Sequence, residues 1–311
     1  MKTQSFVLLG VILIAGCFVS RKIRYDEQRK IPKQKLVPFG TVWLRDSMFI
    51  DITETRNLDY LEFLYWMKRN EPGQYAAMLP DTNVWGRRPE LEYYLRHPAY
   101  ADYPVVGISY TQALRYCTWR SKVTNNYYYI KTHGGWKKFP GDTIGKIDSP
   151  EYVEYRLPTK EEWEFASAAG HDLFTFPYGY QSLVNSDNLP VSVTTESVML
   201  WRQPYYINDH HWSSDWIYSS DSIGAVTHGA PNAYGVYHLL GNTSELIADS
   251  LFKGLNYTTR LDGTSFRERP AEYQRTDSSS APYDYTFTFR YAKPERWLGF
   301  RCVCVVKQLP E

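Results

Sequence analysis

Several things are scarce in this chain, and each scarcity excludes a class. Four cysteines in 311 residues are too few for a disulfide scaffold. Neither sign of charge is in excess: Lys+Arg 35 stands against Asp+Glu 34. No global positive field exists to hold nucleic acid, so no nucleic-acid partner is expected. The sequence has no Gly-rich phosphate loop, no HExxH, no GxSxG and no CxxC. It has no apolar run long enough to span a bilayer as a mature helix. Internal repeats, heptads and low-complexity tracts are missing as well. What is abundant is aromatic: 16% of residues, with Tyr 27 and Trp 10. Such rings bury an apolar body and keep a polar tip bonded, which suits a loop-rich globular fold.

The N-terminus sets the compartment. Phe6 to Ala15 is a short apolar run after one lysine, the pattern of a signal-peptide core. It ends Leu13-Ile14-Ala15-Gly16-Cys17, which resembles a bacterial lipobox. Residues 1–16 then form a lipoprotein signal peptide and Cys17 is the lipidation site. Multiple acyl chains anchor stably, because each buried methylene adds about 0.8 kcal/mol. Residues 17–37 read as a lipidated N-terminus and basic tether, with Arg21, Lys22, Arg24, Arg29, Lys30, Lys33 and Lys35 against Asp26 and Glu27. Residues 38–311 are expected to form one domain.

The coarse pattern within that domain is α+β. Val37 to Leu44 reads as an entering strand and Val303 to Val306 as the last one. Asn57 to Arg69 carries an amphipathic pattern with Asn57 at the N-cap position. A second helix opens at Ser109-Tyr110-Thr111-Gln112 and is expected to run to about Lys122. Thr159 and Glu162 form a capping box that starts a third helix, with Trp163, Phe165 and Ala166 on its buried side. Between Gly170 and Asn232 no period persists, and loops pinned by aromatics are expected.

Asn208-Asp209-His210-His211 is the most ligand-like cluster, but adjacent histidines point to opposite sides of an extended chain. Glu161 and Glu162 lie in a helix first turn, where carboxylates favour the dipole without catalysis. Cys302 and Cys304 share a strand face, and Cys117 can pair with one of them in an oxidising compartment. One thiol is then left over.

Four ordered blocks resemble the formylglycine-generating enzyme (sulfatase-modifying factor) family. They are Pro104-Val105-Val106-Gly107-Ile108-Ser109-Tyr110 with Ala113 and Tyr116-Cys117-Thr118-Trp119; Arg156-Leu157-Pro158-Thr159 through Ala166; Asn232-Ala233-Tyr234-Gly235 through Asn242 with Glu245; and Gly299-Phe300-Arg301-Cys302. The resemblance implies an irregular, loop-rich relative of the C-type lectin fold. It also implies that Cys117 pairs with Cys302, with Cys304 as the fallback. Two calcium sites are implied: Asn188, Leu189 and Asp221 in the first, Gly241, Thr243 and Glu245 in the second, all hard oxygen donors. His238 departs from the Asn or Asp preferred in the family.

A narrower resemblance covers Asp81-Thr82-Asn83-Val84-Trp85 and Tyr94 to Pro104. This segment is similar to the gliding-motility J and K lipoproteins associated with type 9 protein secretion. It implies an outer-membrane lipoprotein, on the periplasmic face or the cell surface, whose partners are other envelope or secretion-machinery proteins. Against these matches stands one loss. Active members of the broader family hold copper through a cysteine pair after a Gly-rich turn. Here Gly263-Thr264-Ser265-Phe266 takes that turn's place, and Arg267 to Pro282 contains no cysteine. Glu268 and Tyr273 stand near the lost positions. Copper(I) needs soft ligands, so no copper and no oxidase activity are expected. A non-catalytic scaffold is the reading favoured by this loss. A sulfatase-activating oxidase with an unrecognised site and a glycan-binding module are the alternatives.

Overall fold

The chain enters the fold through a hairpin. β1 (Thr41–Arg45) and β2 (Met48–Asp51) pair antiparallel across Asp46-Ser47. Asp46 adopts φ 45, a left-handed conformation that Asp tolerates better than most residues. The computed structural model describes residues 35–85, 93–139, 143–170, 223–227, 231–239, 242–255 and 286–310. Within them the architecture is mixed α+β, with two small sheets.

The first sheet has the order β1-β2-β8-β3. β8 (Val303–Val306) runs antiparallel to both β2 and β3 (Val153–Arg156). Its side chains alternate between two apolar clusters. Val303 packs with Leu44, Ile50 and Trp163, while Cys302 and Cys304 face Phe49, Tyr116 and Tyr155. Both faces are covered, which is why this strand shows no polar alternation. The second sheet has the order β6-β5-β4-β7, from β4 (Ser244–Ile247), β5 (Leu251–Leu255), β6 (Thr286–Arg290) and β7 (Leu298–Phe300). β7 is parallel to β4, and the other pairs are antiparallel. β7 and β8 are separated only by Arg301-Cys302, so two residues carry the chain from one sheet to the other.

α1 (Asn57–Asn70) buries Tyr60, Phe63, Leu64 and Met67, the spacing of one helical face. Its cap corrects the expectation from sequence. Arg56, not Asn57, precedes the helix, and Asp59 accepts the Arg56 N–H at 3.1 Å. Asn57 lies inside the first turn, where its amide donates to the Tyr100 carbonyl at 2.9 Å. A first-turn carboxylate favours the helix dipole, which frees Asn57 to tie down a loop. α3 (Lys160–Ala168) has the expected capping box: Thr159 Oγ1 accepts from Glu162 N at 3.2 Å and Glu162 accepts from Thr159 N at 2.8 Å. Trp163 and Ala166 are buried as expected, whereas Phe165 is half-buried.

α2 (Tyr110–Thr132) is capped by Ser109 and Gln112 as expected, but it runs well past Lys122. The extension passes through Thr124-Asn125-Asn126, poor helix formers. Tertiary bonds override propensity here. Asn126 Oδ1 accepts from Gly145 N at 2.7 Å and Ile147 N at 3.2 Å. Asn125 Oδ1 accepts from Tyr152 N at 3.0 Å and Val153 N at 2.9 Å, and its amide donates to the Val153 carbonyl at 2.9 Å. Among the described residues no helix is long and apolar enough to cross a membrane.

Asn125→Ala tests this balance. Propensity alone favours alanine by about 0.6 kcal/mol, but each buried group left unpaired costs about 1–3 kcal/mol. The expected outcome is a net loss of about 2 kcal/mol or more in denaturant unfolding; a stabilised variant would contradict it.

Candidate functional site

The crossing between the two sheets places a charge in the core. Arg301 is wholly buried. Its Nε donates to Glu245 Oε1 at 2.8 Å and Oε2 at 2.9 Å, and Nη2 lies 2.6 Å from Oε1. Nη1 reaches the carbonyls of Asp51 (3.2 Å) and Ile52 (3.4 Å), and Nη2 that of Tyr237 (2.7 Å). Trp163 Nε1 completes the cluster by donating to Glu245 Oε2 at 2.8 Å. The guanidinium is thus shared among β2, β4 and the 231–239 loop.

Glu54 is a second buried carboxyl beside it, with Oε2 3.9 Å from Arg301 Nη2. Asn242 donates to its Oε1 at 2.9 Å, and Gly224 N donates to Asn242 Oδ1 at 2.8 Å. Burial pushes the Glu54 pKa from its ordinary 4.5 to about 8, outweighing the attraction of Arg301. Glu245 adds repulsion in the same direction. Near neutral pH this carboxyl is therefore mostly protonated, and the Arg301–Glu245 pair stands without a second full negative charge.

Cys117 on α2 and Cys302 meet beneath the first sheet. Their Sγ atoms are 3.4 Å apart, and both are thiols here, as is Cys304. Burial, followed by the contact with Cys117, holds the Cys302 thiol well above its ordinary range, and burial raises Cys304 to about 12. A thiolate is the reactive form.

The remaining motif residues also have structural partners. Arg156 makes a two-pronged ion pair with Glu162, both contacts at 2.7 Å. Asn232 Oδ1 accepts from Tyr234 N (3.0 Å) and Val236 N (3.2 Å), while its amide donates to the Ala166 carbonyl (2.8 Å). Three of the motif blocks meet at the buried guanidinium, through Trp163, Glu245 and Arg301 itself, and the first block reaches the last through Cys117 and Cys302.

The sequence matches the family described as the sulfatase-modifying factor enzyme 1-like domain over residues 3–306. The chain belongs to this family. It is similar to the serine/threonine-protein kinase pkn1 of Chlamydia pneumoniae, 25% identical over 75% of this chain and 32% of that protein. It is similar to the inactive C-alpha-formylglycine-generating enzyme 2 of Bos taurus, 26% identical over 65% of this chain and 50% of that protein. The formylglycine-generating enzyme of Thermomonospora curvata is 24% identical over 48% of this chain and 34% of its own length. The chain thus spans a third to a half of these relatives.

Family membership sets the expected sites in context. Cys17, Asn188, Leu189, Asp221, Gly241, Glu268 and Tyr273 lie outside the described residues, as do Asn208 to His211. Of the expected calcium donors, Thr243 and Glu245 are described. Both oxygens of Glu245 are engaged by Arg301 and Trp163, so this part of the set offers a cation no uncommitted carboxylate. Thr243 is buried, with an Oγ1 that lacks a hydrogen-bond partner among the described residues. His238 is buried and occupies φ 54, a left-handed conformation in which Asn, Asp and His are the side chains found most often. The Arg301–Glu245 pairing escaped the sequence reading. Its one available signal was an arginine inside an apolar terminal strand motif.

Two outcomes follow. Glu54 binds its proton more tightly in the folded than in the unfolded chain. Its contribution to stability is full below about pH 4.5 and is lost as pH rises through about 8. Glu54→Gln is expected to flatten the dependence of the urea midpoint on pH between these limits; an unchanged slope would contradict the protonated assignment. Second, protein matured in an oxidising compartment is expected to yield a Cys117–Cys302 peptide on non-reducing mapping. A bond closing so long a loop contributes roughly 3–5 kcal/mol on the chain-entropy account. Recovery of Cys117 as a free thiol in that material would refute the pairing.

Proposed function

We propose that this chain is a lipid-anchored, non-catalytic member of the family that works by binding, as a scaffold in an outer-membrane machine of the gliding-motility and type 9 secretion kind. The observation that carries the proposal is the cysteine-free stretch Arg267 to Pro282, where active members hold copper. Glu268 and Tyr273 supply a carboxylate and a phenol, which are hard, poor ligands for copper(I). Meanwhile the motif residues that remain serve packing: Thr159 and Glu162 cap α3, Asn232 pins a turn, and Glu245 neutralises Arg301. A fold kept without its reactive pair is consistent with selection for surface rather than chemistry. The relative from Bos taurus, named as an inactive formylglycine-generating enzyme, sets a precedent for a non-catalytic member. We read the two small sheets and long connections as C-type-lectin-like, a fold that presents loops to partners.

The anchor and the setting are supported by the Leu13 to Cys17 motif and by the match of Asp81 to Pro104 with gliding-motility lipoproteins. Cys17 would carry the acyl chains, and residues 18–37 would space the domain from the membrane.

Two measurements test this reading. Cys17→Ala is expected to abolish lipid labelling and release the protein from the membrane fraction; unchanged labelling would rule the anchor out. Purified protein offered copper(I), oxygen and a Cys-containing sulfatase peptide is expected to produce no aldehyde. Conversion of the peptide cysteine, or tight stoichiometric copper binding, would restore the enzyme.

A further inference from the structure

The chain enters the described domain beside an exposed aromatic surface. Val37 and Phe39 lie just before β1, and Phe39 is 58% exposed. Arg120 Nη2 donates to the Phe39 carbonyl at 3.1 Å, which holds this residue against α2. Its ring packs edge-on against Tyr127 with centroids 5.2 Å apart, and stacks on Tyr128 at 6.1 Å. Tyr127 in turn meets Trp136 at 6.5 Å. Trp136 belongs to the helical turn Gly135–Lys138 that follows α2, and it is 50% exposed. Phe39, Tyr127 and Trp136 thus form a continuous run of rings open to solvent at both ends. A clustered exposed apolar surface of this kind marks a place of contact.

The charge around these rings has one sign. From Tyr103 to Gly141 the sequence holds no Asp or Glu. Arg115 and Arg120 of that stretch are paired with Glu71 and Asp51. Lys131 is exposed and lies four residues after Tyr127, on the same side of α2. Lys137 and Lys138 follow Trp136 and are exposed as well. Among the described residues none of these three lysines pairs with a carboxylate; Lys138 Nζ lies 5.3 Å from the centre of the Phe139 ring. Lysine is depleted at protein–protein interfaces even where aromatic rings are enriched. Trp and Tyr beside lysine suit the headgroup layer of a membrane, where the ring sinks and the ammonium stays among phosphates. Position agrees with composition. Residues 17–34 join Cys17 to Lys35, and they carry Arg21, Lys22, Arg24, Arg29, Lys30 and Lys33 against Asp26 and Glu27. A basic segment beside a lipid anchor is drawn onto an anionic surface, so the chain rises from the membrane at the edge of this patch.

We propose that the face made by Phe39, Tyr127, Trp136, Lys131, Lys137 and Lys138 rests on the anionic phospholipid headgroups of the leaflet that holds the acyl chains. The inference rests on the lipid-anchored reading above and adds an orientation to it: the C-terminal end of α2 lies against the bilayer, and the opposite side of the domain is left to partners.

The test uses full-length protein isolated from membranes and placed on vesicles of mixed phosphatidylcholine and phosphatidylglycerol, or of phosphatidylcholine alone. Intact mass and flotation report on the anchor. Quenching of tryptophan fluorescence by a phosphatidylcholine brominated near its headgroup reports on the face, taken as the difference between the parent and Trp136→Phe. Trp136 is expected to be quenched on the anionic vesicles and much less on the neutral ones. Each lysine near an anionic surface strengthens contact about fivefold, so Lys131→Gln/Lys137→Gln/Lys138→Gln is expected to remove most of that quenching. If Trp136→Phe fails to fold, the lysine variant compared with the parent serves alone. An acylated protein that floats with no quenching at Trp136 overturns this proposal and leaves the anchor standing. Quenching that ignores both lipid charge and the lysine variant overturns it too. Without acyl chains the anchor is refuted, and the face then stands only if Trp136 is still quenched on anionic vesicles. Protection of Trp136 from aqueous acrylamide in native membranes but not on vesicles assigns the face to a protein partner and overturns the proposal.

Discussion

A wholly buried guanidinium organises this molecule. Taking an arginine out of water costs several kcal/mol after relaxation, and the cost is offset only where geometry supplies counter-charge and acceptors together. Arg301 has both: the Glu245 carboxylate on one side and three backbone carbonyls on the other. Those partners come from a hairpin, a loop and a strand of the second sheet. Satisfying one side chain therefore fixes the relative placement of both sheets. It also explains why Glu54 keeps its proton. One guanidinium already paired with one carboxylate has little left to hold a second in a dry site.

This placement has a consequence for the surface. β2 leads directly into residues 51–56, which with side chains of α1 and α2 line a cleft of about 580 Å³, and Asp51 itself accepts both from Arg120 on the cleft side and from Cys302 N at 2.9 Å on the core side. Core and cleft thus share a residue. The carboxylates of Asp51, Asp59 and Asp102 are held there by Arg120 and Arg56.

Local chemistry was the most legible part of the sequence. The capping box at Thr159 and Glu162, the buried face of α1 and the final strand at Val303 were readable because each depends on neighbours within a turn or two. The length of α2 was not legible: the helix was expected to run to about Lys122, yet it continues through Asn125 and Asn126, residues of low helix propensity. Their amides instead replace backbone partners for residues 145–153, a long-range use that no local pattern signals. Asn57 was misplaced for a similar reason, since its partners lie beyond Tyr94 in the chain. The motif containing Arg301 and Cys302 was visible as a family block, but the role of its arginine was not. Its carbonyl and carboxylate partners are spread from Asp51 to Glu245, and only folding brings them together. The cleft was hidden too, because its five carboxyl groups are scattered between residues 51 and 102.

The measurement that tests the account most directly is a double-mutant cycle on the buried pair, with Arg301→Met, Glu245→Gln and the double variant compared by denaturant unfolding. Breaking one partner of a buried ion pair costs about 3–5 kcal/mol, because the other charge is stranded. If Arg301 organises the fold through Glu245, each single variant loses about that much and the double variant loses no more than the worse of the two. Small, additive losses would contradict it and would leave the convergence of the family motifs on Arg301 without an energetic cause.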